Sequence, residues 1–114
     1  MGLFAKNSAV LLKYRPDPAA AVPAYDRYML ENVMVRETFA ADAEAVGNAG
    51  AVLYFLEDTS VCRAENGGTV PLPGLAKGDR CLLHAGTDAE VNMRVAEAGY
   101  FTGGTLAHVR VRLK

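Results

Sequence analysis

Turn-forming residues recur at short intervals along the whole chain, and this recurrence limits the possible folds most. Eleven glycines and five prolines are spread over 114 residues, in segments such as "GNAG", "ENGG", "PLPG" and "TGG", with short apolar runs between them. Regularly spaced short runs that end at turn signals are typical of antiparallel strands. We therefore expect a mainly β fold, a small β-barrel or β-sandwich with long loops and at most one short helix. The chain length suits a single domain over residues 1–114.

The clearest strand lies at the C-terminus, in "TLAHVRVRLK", residues 105–114. Apolar and polar side chains alternate there with period two, so one face is apolar and the other carries His108, Arg110 and Arg112. Charged side chains are typical of an edge strand, where they prevent edge-to-edge aggregation. We favour that interpretation, and the alternative is a surface that faces DNA or an acidic neighbour.

Other segments have the length and composition of strands. The sequence predicts strands at Ser8–Arg15, Tyr25–Thr38, Ala51–Asp58 and Asp79–Gly86.

Two segments are ambiguous between helix and strand. In residues 87–101, Thr87 and Glu90 form the Thr-x-x-Glu pattern of a helix cap, but Val91, Met93 and Val95 alternate with polar residues as in a strand. We favour the strand, because the rest of the chain has β character. The alanine-rich segment 37–50 raises the same question, and two glycines within it end any helical turn early.

A long loop is expected from Glu57 to Gly78, because glycine and proline are dense there. Loops of more than about fifteen residues in a compact domain are usually functional or disordered. This loop and the segment Pro16–Pro23 are the first candidates for a contact surface.

Charge and hydropathy narrow the classes of function. The formal net charge is −1 and no basic stripe dominates, so nothing in the bulk charge calls for a polyanionic partner. No run of eighteen apolar residues is present and the N-terminal segment does not resemble a signal peptide, so we expect a protein made in the cytosol. The two cysteines, Cys62 and Cys81, are expected to be reduced core residues.

Cys62, Cys81, His84 and His108 are the candidate metal ligands or nucleophile–base pairs. Zinc needs four converging nitrogen or sulfur ligands. Cys81 and His84 are three residues apart in a predicted strand, so their side chains point to opposite faces. A tight turn is enough to explain Gly78 and Asp79, because glycine supplies a free φ and the Asp side chain hydrogen-bonds to the backbone. We therefore predict no catalytic, metal or cofactor-binding residues and expect a protein that is not an enzyme.

The order of elements resembles a family of small minor structural proteins from the head–tail gene cluster of tailed phages and prophages of Gram-positive hosts. The resemblance covers roughly residues 7–114 and rests on "NSAVLLKYRPD", "YDRYMLENVMVRE", "GNAGAVLYFLED", "KGDRCLLHAG" and "LAHVRVRLK" in this order. The chain departs from the family pattern in being short, in lacking Trp and in its abbreviated middle loop.

The resemblance implies a virion protein, assembled in the host cytoplasm, that forms a ring between portal and tail as a head–tail connector. Its partners would be further copies of itself, portal or adaptor proteins and tail proteins, with at most non-specific contact with DNA in the channel, no membrane and no cofactor. The alternatives are a tail-completion protein of the same virion and a free-standing β-barrel binding module. The expected inter-subunit contacts are Arg15, Asp17, Asn66, Val70, Leu72, Leu75, Arg110 and Arg112.

Overall fold

Eight strands make up most of the described part of the chain, and all pairings between them are antiparallel. The structure is a computed structural model that describes residues 7–16, 19, 22, 24–38, 50–102 and 107–114. The strands are β1 (Asn7–Arg15), β2 (Ala24–Thr38), β3 (Gly50–Leu56), β4 (Val61–Ala64), β5 (Thr69–Val70), β6 (Arg80–Leu83), β7 (Val91–Phe101) and β8 (His108–Leu113). The prediction of a mainly β fold is confirmed.

Six of the strands pair in an order that returns to its starting point. β1 pairs with β6, and the order continues through β7, β8, β3 and β2, which pairs again with β1. Closure of this kind satisfies strand edges that an open sheet would leave free. β4 and β5 form a hairpin outside the closed set, with β4 bonded to β2. The arrangement belongs to the expected class of small barrel or sandwich.

The closed order depends on a bend in β2 at Asn32. Asn7 pairs with Val33 but Ala9 pairs with Leu30, so β2 has one extra residue there, and Asn32 has a φ of 56°. A β-bulge of this kind bends a strand and increases its twist. On one edge of β2, residues 28–31 pair with β4 and residues 34–38 pair with β3.

Ser60 holds the bend in place. Its hydroxyl donates to the Asn32 carbonyl oxygen over 2.6 Å and accepts a hydrogen bond from the Leu56 amide over 2.8 Å. Ser60 therefore connects the end of β3 to the bulge. The residue is 9% exposed, and these two bonds satisfy its hydroxyl. A second irregularity lies between Val95 and Glu97 in β7, where this strand changes its partner from β6 to β8.

The core contains alternate residues of the paired strands. Its buried members include Leu11, Leu30, Val33, Leu53, Cys62, Cys81, Leu83, Val95, Val111 and Leu113. The two-residue periodicity of a strand explains this selection, because every second side chain points to the same face. The expected apolar face of β8 is confirmed by the burial of Val111 and Leu113, and both cysteines are buried and free.

Asp79 lies at the junction of three segments. Its side chain is 1% exposed, and one carboxylate oxygen accepts from the Lys13 ammonium over 2.9 Å and from the Ala76 amide over 2.8 Å. The other oxygen accepts from the Tyr14 amide over 2.8 Å, and the Asp79 carbonyl accepts from the Val95 amide over 2.9 Å. Asp79 therefore joins β1, the turn before β6 and the bend of β7.

Gly78 makes the turn possible. Its φ is +103°, a region that side chains with a Cβ rarely adopt, and the Tyr14 ring lies 3.7 Å from the position a Cβ would occupy. The predicted Gly-Asp turn is confirmed. The Asp79 carboxylate accepts hydrogen bonds from β1 as well as from the backbone of the turn.

The structure differs from the sequence in the loop that was expected after β3. The prediction of a continuous loop from Glu57 to Gly78 is wrong in part, because this segment contains the β4–β5 hairpin.

Within the described residues there is no helix, and Thr87 and Glu90 form a tight turn in which the Glu90 carboxylate accepts a hydrogen bond from the Gly86 amide over 3.0 Å. The strand in residues 87–101 is confirmed as β7. Most of segment 37–50 lies outside the described residues.

The edge-strand interpretation of the C-terminal strand is wrong. β8 is bonded to β3 on one side and to β7 on the other, so it is an interior strand. Alternation shows which face of a strand is polar, but it does not show how many neighbours the strand has.

We expect Asp79→Ala to lower the free energy of unfolding by about 3–5 kcal/mol, because it leaves Lys13 and two amides without their acceptor in a buried site. The control is Asp26→Ala, which removes an exposed ion pair with Arg15 at 3.5 Å and should cost less than about 1 kcal/mol. Urea unfolding measures both values. Equal losses for the two variants would contradict the role given to Asp79.

Asn32 provides a second stability test. We expect Asn32→Val to cost about 1–3 kcal/mol, because a β-branched residue is strained at φ 56°, whereas Asn32→Gly should be close to neutral. Thermal unfolding of the two variants measures the difference. A valine variant as stable as the glycine variant would show that the bulge is not held in this conformation.

Candidate interaction groove

An apolar groove of about 460 Å³ opens where the β4–β5 hairpin approaches the ends of β3, β7 and β8. We call it the hairpin groove. Its apolar lining consists of Phe55, Val61, Cys62, Val70, Pro71, Leu72, Tyr100, Phe101 and Val109, and its polar lining of Glu57, Ser60, Thr69, Thr102 and His108. A mostly apolar concavity with a few polar groups is typical of a binding site.

The end of β7 supplies the exposed aromatic wall of the groove. Tyr100 is 52% exposed and Phe101 is 47% exposed. The Phe101 ring stacks on the His108 ring of β8, with centroids 4.8 Å apart and planes at 16°. It also lies 3.2 Å from the position of a Cβ on Gly99, so glycine at that position leaves room for the ring. Large apolar side chains exposed beside a groove mark an interaction site.

The opposite wall is held to β7 by one hydrogen bond. The Leu75 amide donates to the Tyr100 hydroxyl over 2.9 Å, which fixes the proline-rich segment that follows β5. Pro71 and Pro73 stiffen this segment because proline restricts the backbone. The groove therefore has a pre-formed shape.

The hairpin itself is held by side-chain contacts. Arg63 of β4 pairs with Glu31 of β2 over 3.2 Å, and the Asn66 carboxamide accepts from the Gly68 amide over 2.8 Å in the turn. The ion pair orients the hairpin on β2, and the Asn66 bond fixes its turn. Among the described strands, β5 is bonded to β4 alone, so its outer edge faces away from the sheet.

The predicted contact residues fall into three places. Val70 and Leu72 line the hairpin groove, while Leu75 and Asn66 hold its proline-rich segment and the hairpin turn. Arg110 and Arg112 lie on the outer face of β8, where Arg112 pairs with Glu97 over 3.1 Å. Arg15 lies at the end of β1, paired with Asp26, and Asp17 lies outside the described residues.

Sequence reasoning did not identify Phe55, Tyr100 and Phe101 as site residues. Phe55 is far in the chain from Tyr100 and Phe101, and the pairing of β7 with β8 and of β8 with β3 brings them together. The available signal was the exposed aromatic pair just before the glycines at residues 103–104.

The structure separates the candidate ligands Cys62, Cys81, His84 and His108. Cys81 is in the core, whereas His84 follows β6 with a φ of 56° and faces Glu37 at 3.1 Å. His108 stacks on Phe101, and Cys62 lines the hairpin groove. Over the described residues, no group of three or more His, Cys, Asp or Glu is placed to hold a metal ion.

Comparison with protein-family models, with curated proteins and with solved structures gives no match to this chain. In the part of the chain that the structure describes, no helix has the length and apolar character needed to cross a membrane.

Burial raises the pKa of the Cys81 thiol from 9.0 to about 12. Between these values the unfolded thiol loses its proton while the folded thiol keeps it, so stability is fully present below about pH 9 and declines as pH rises toward 12. We expect Cys81→Ala to unfold more easily than the parent at neutral pH and to lose less stability between pH 9 and pH 11. Urea unfolding at a series of pH values measures the difference. Parallel curves would contradict the burial of this thiol.

Proposed function

We propose that the chain is a virion structural protein, a head–tail connector subunit that assembles as a ring between portal and tail. The observation that supports this proposal is the hairpin groove, whose apolar lining includes Val70 and Leu72 and whose rim includes the exposed Tyr100 and Phe101. An exposed apolar concavity of this kind favours docking of another protein surface.

A ring requires two different patches on each subunit, because each copy contacts its neighbours head to tail. The hairpin groove is the first patch. The second is the segment 16–23, in which Val22 is 71% exposed. We propose that the apolar side chain of Val22 in one copy contacts the hairpin groove of the next copy. The closed order of strands supports this arrangement, since the hairpin and Val22 both lie outside the six strands of the closed set.

The second candidate function is a free-standing binding module. It is favoured by the concave, aromatic character of the groove, in which Phe55 comes together with the distant pair Tyr100 and Phe101. Such a module would be a stable monomer whose groove takes an extended peptide or an oligosaccharide. The two candidates therefore differ in the mass of the species that contains the chain.

Sedimentation of a tagged chain from gently lysed producing cells separates the candidates. A connector is expected to sediment with a particle of virion or tail size, and Leu72→Lys is expected to move it to the fractions of the free 12.1 kDa chain, because lysine places a charge in the apolar groove. Val22→Lys should act in the same direction.

The matched control is Val91→Lys, which changes a 43% exposed valine outside the groove and should leave sedimentation unchanged. Circular dichroism of each purified variant checks that the fold is retained. A parent chain that sediments only as a 12.1 kDa species in producing cells would contradict the connector proposal and favour the binding module.

A further inference from the structure

Four neighbouring strands present a continuous outer face that combines arginine and aromatic side chains. Register places Arg36 of β2 beside Val52 of β3, and Val52 beside Arg112 of β8. In the next row Tyr54 of β3 lies beside Arg110, and in the third row His108 lies beside Phe101 of β7. We call the set Arg36, Tyr54, Phe101, His108, Arg110 and Arg112 the arginine–aromatic face.

Among the described residues, acidic side chains neutralise the charge of this face only in part. Arg112 pairs with Glu97 over 3.1 Å. Around Arg36 and Arg110, which are both exposed, no carboxylate of the described residues lies within 4.0 Å. A positive surface is therefore present on a chain whose net charge is −1. Bulk charge did not indicate it, because Arg36 of β2 is far in sequence from Arg110 and Arg112 of β8.

Protection of a sheet edge does not explain these arginines. β8 is an interior strand, bonded to β3 and β7, and Arg36 lies where β2 is bonded to β3. Solvation of an outer face would be served equally by acidic side chains, yet Glu97 is the one carboxylate in these register rows. The excess of positive charge favours an anionic partner.

The aromatic side chains indicate which anion. Phe101 is 47% exposed and stacks on His108, and the Tyr54 ring lies 6.0 Å from the His108 ring. Bases of a single strand stack on exposed aromatic rings while arginines contact the phosphates, and this combination on a sheet is typical of single-strand binding. A duplex keeps its bases stacked on one another and would contact only the arginines.

We propose that the arginine–aromatic face binds single-stranded nucleic acid without sequence preference. Arg36 and Arg110 contact phosphates, and Phe101, supported by His108, provides a stacking surface for a base. Phe101 and His108 also line the hairpin groove, so the proposal concerns the free chain, in which the groove is open, and it does not depend on ring assembly.

Fluorescence anisotropy with a labelled oligothymidylate tests the proposal on the purified full-length chain. We expect binding at low salt that weakens as salt rises. The double variant Arg36→Gln, Arg110→Gln should bind about tenfold more weakly and show a shallower salt dependence, because two phosphate contacts are lost. The control is Arg27→Gln, an exposed arginine outside the face, which should bind like the parent.

Stacking is tested separately from charge. Phe101→Ala should weaken binding about tenfold with an unchanged salt dependence, and Phe101→Tyr, which keeps the ring, should restore it. A duplex of the same sequence should bind more weakly than the single strand. Thermal unfolding of each variant shows whether the fold is retained.

Three results would overturn the proposal: no binding at low salt, equal loss of binding in the Arg27→Gln control, or duplex binding as tight as single-strand binding with no effect of Phe101→Ala. The last result would indicate a surface that recognises phosphate only. Sedimentation of the chain with particles is a separate measurement, so failure of nucleic-acid binding leaves the connector proposal standing, and the reverse also holds.

Discussion

The buried carboxylate of Asp79 is the interaction on which the closed sheet depends. It accepts from Lys13 and from the Tyr14 amide, and so fixes the end of β1, while its own backbone carbonyl holds β7 at Val95. These contacts hold together β1, β6 and β7, which are consecutive strands of the closed sheet. A single acid can do this because burial strengthens each charge-assisted bond and makes its loss costly.

The sequence predicts the strands well where the pattern is local. All five segments that were expected to be strands are strands, and the ambiguous segment around Val91 is also a strand, in which Val95 is buried although Val91 is 43% exposed. The sequence does not predict neighbours: β8 has the charge pattern of an edge strand but is an interior strand. The bend at Asn32 was also missed, because a bulge depends on the register between two strands and not on either strand alone.

The candidate site was predicted only in part, because sequence patterns indicate local features but not which distant segments are neighbours. Val70 and Leu72 were expected in a contact surface because the segment around them is rich in glycine and proline, and they do line the hairpin groove. Tyr100 and Phe101 were missed because their exposure follows from the end of β7 lying beside the hairpin. Arg36 joins Arg110 only through β3, which is a contact between distant parts of the chain. Long-range pairing therefore creates both the groove and the arginine–aromatic face.

The central claim is that a neighbouring copy covers the hairpin groove in an assembled particle. Electron microscopy of particles from producing cells, at a resolution that shows side chains, tests it most directly. We expect a closed ring of copies with Leu72 and Phe101 of each subunit buried against the segment 16–23 of the next. Particles that contain no copy of the chain, or a ring in which the groove is open to solvent, would contradict the account.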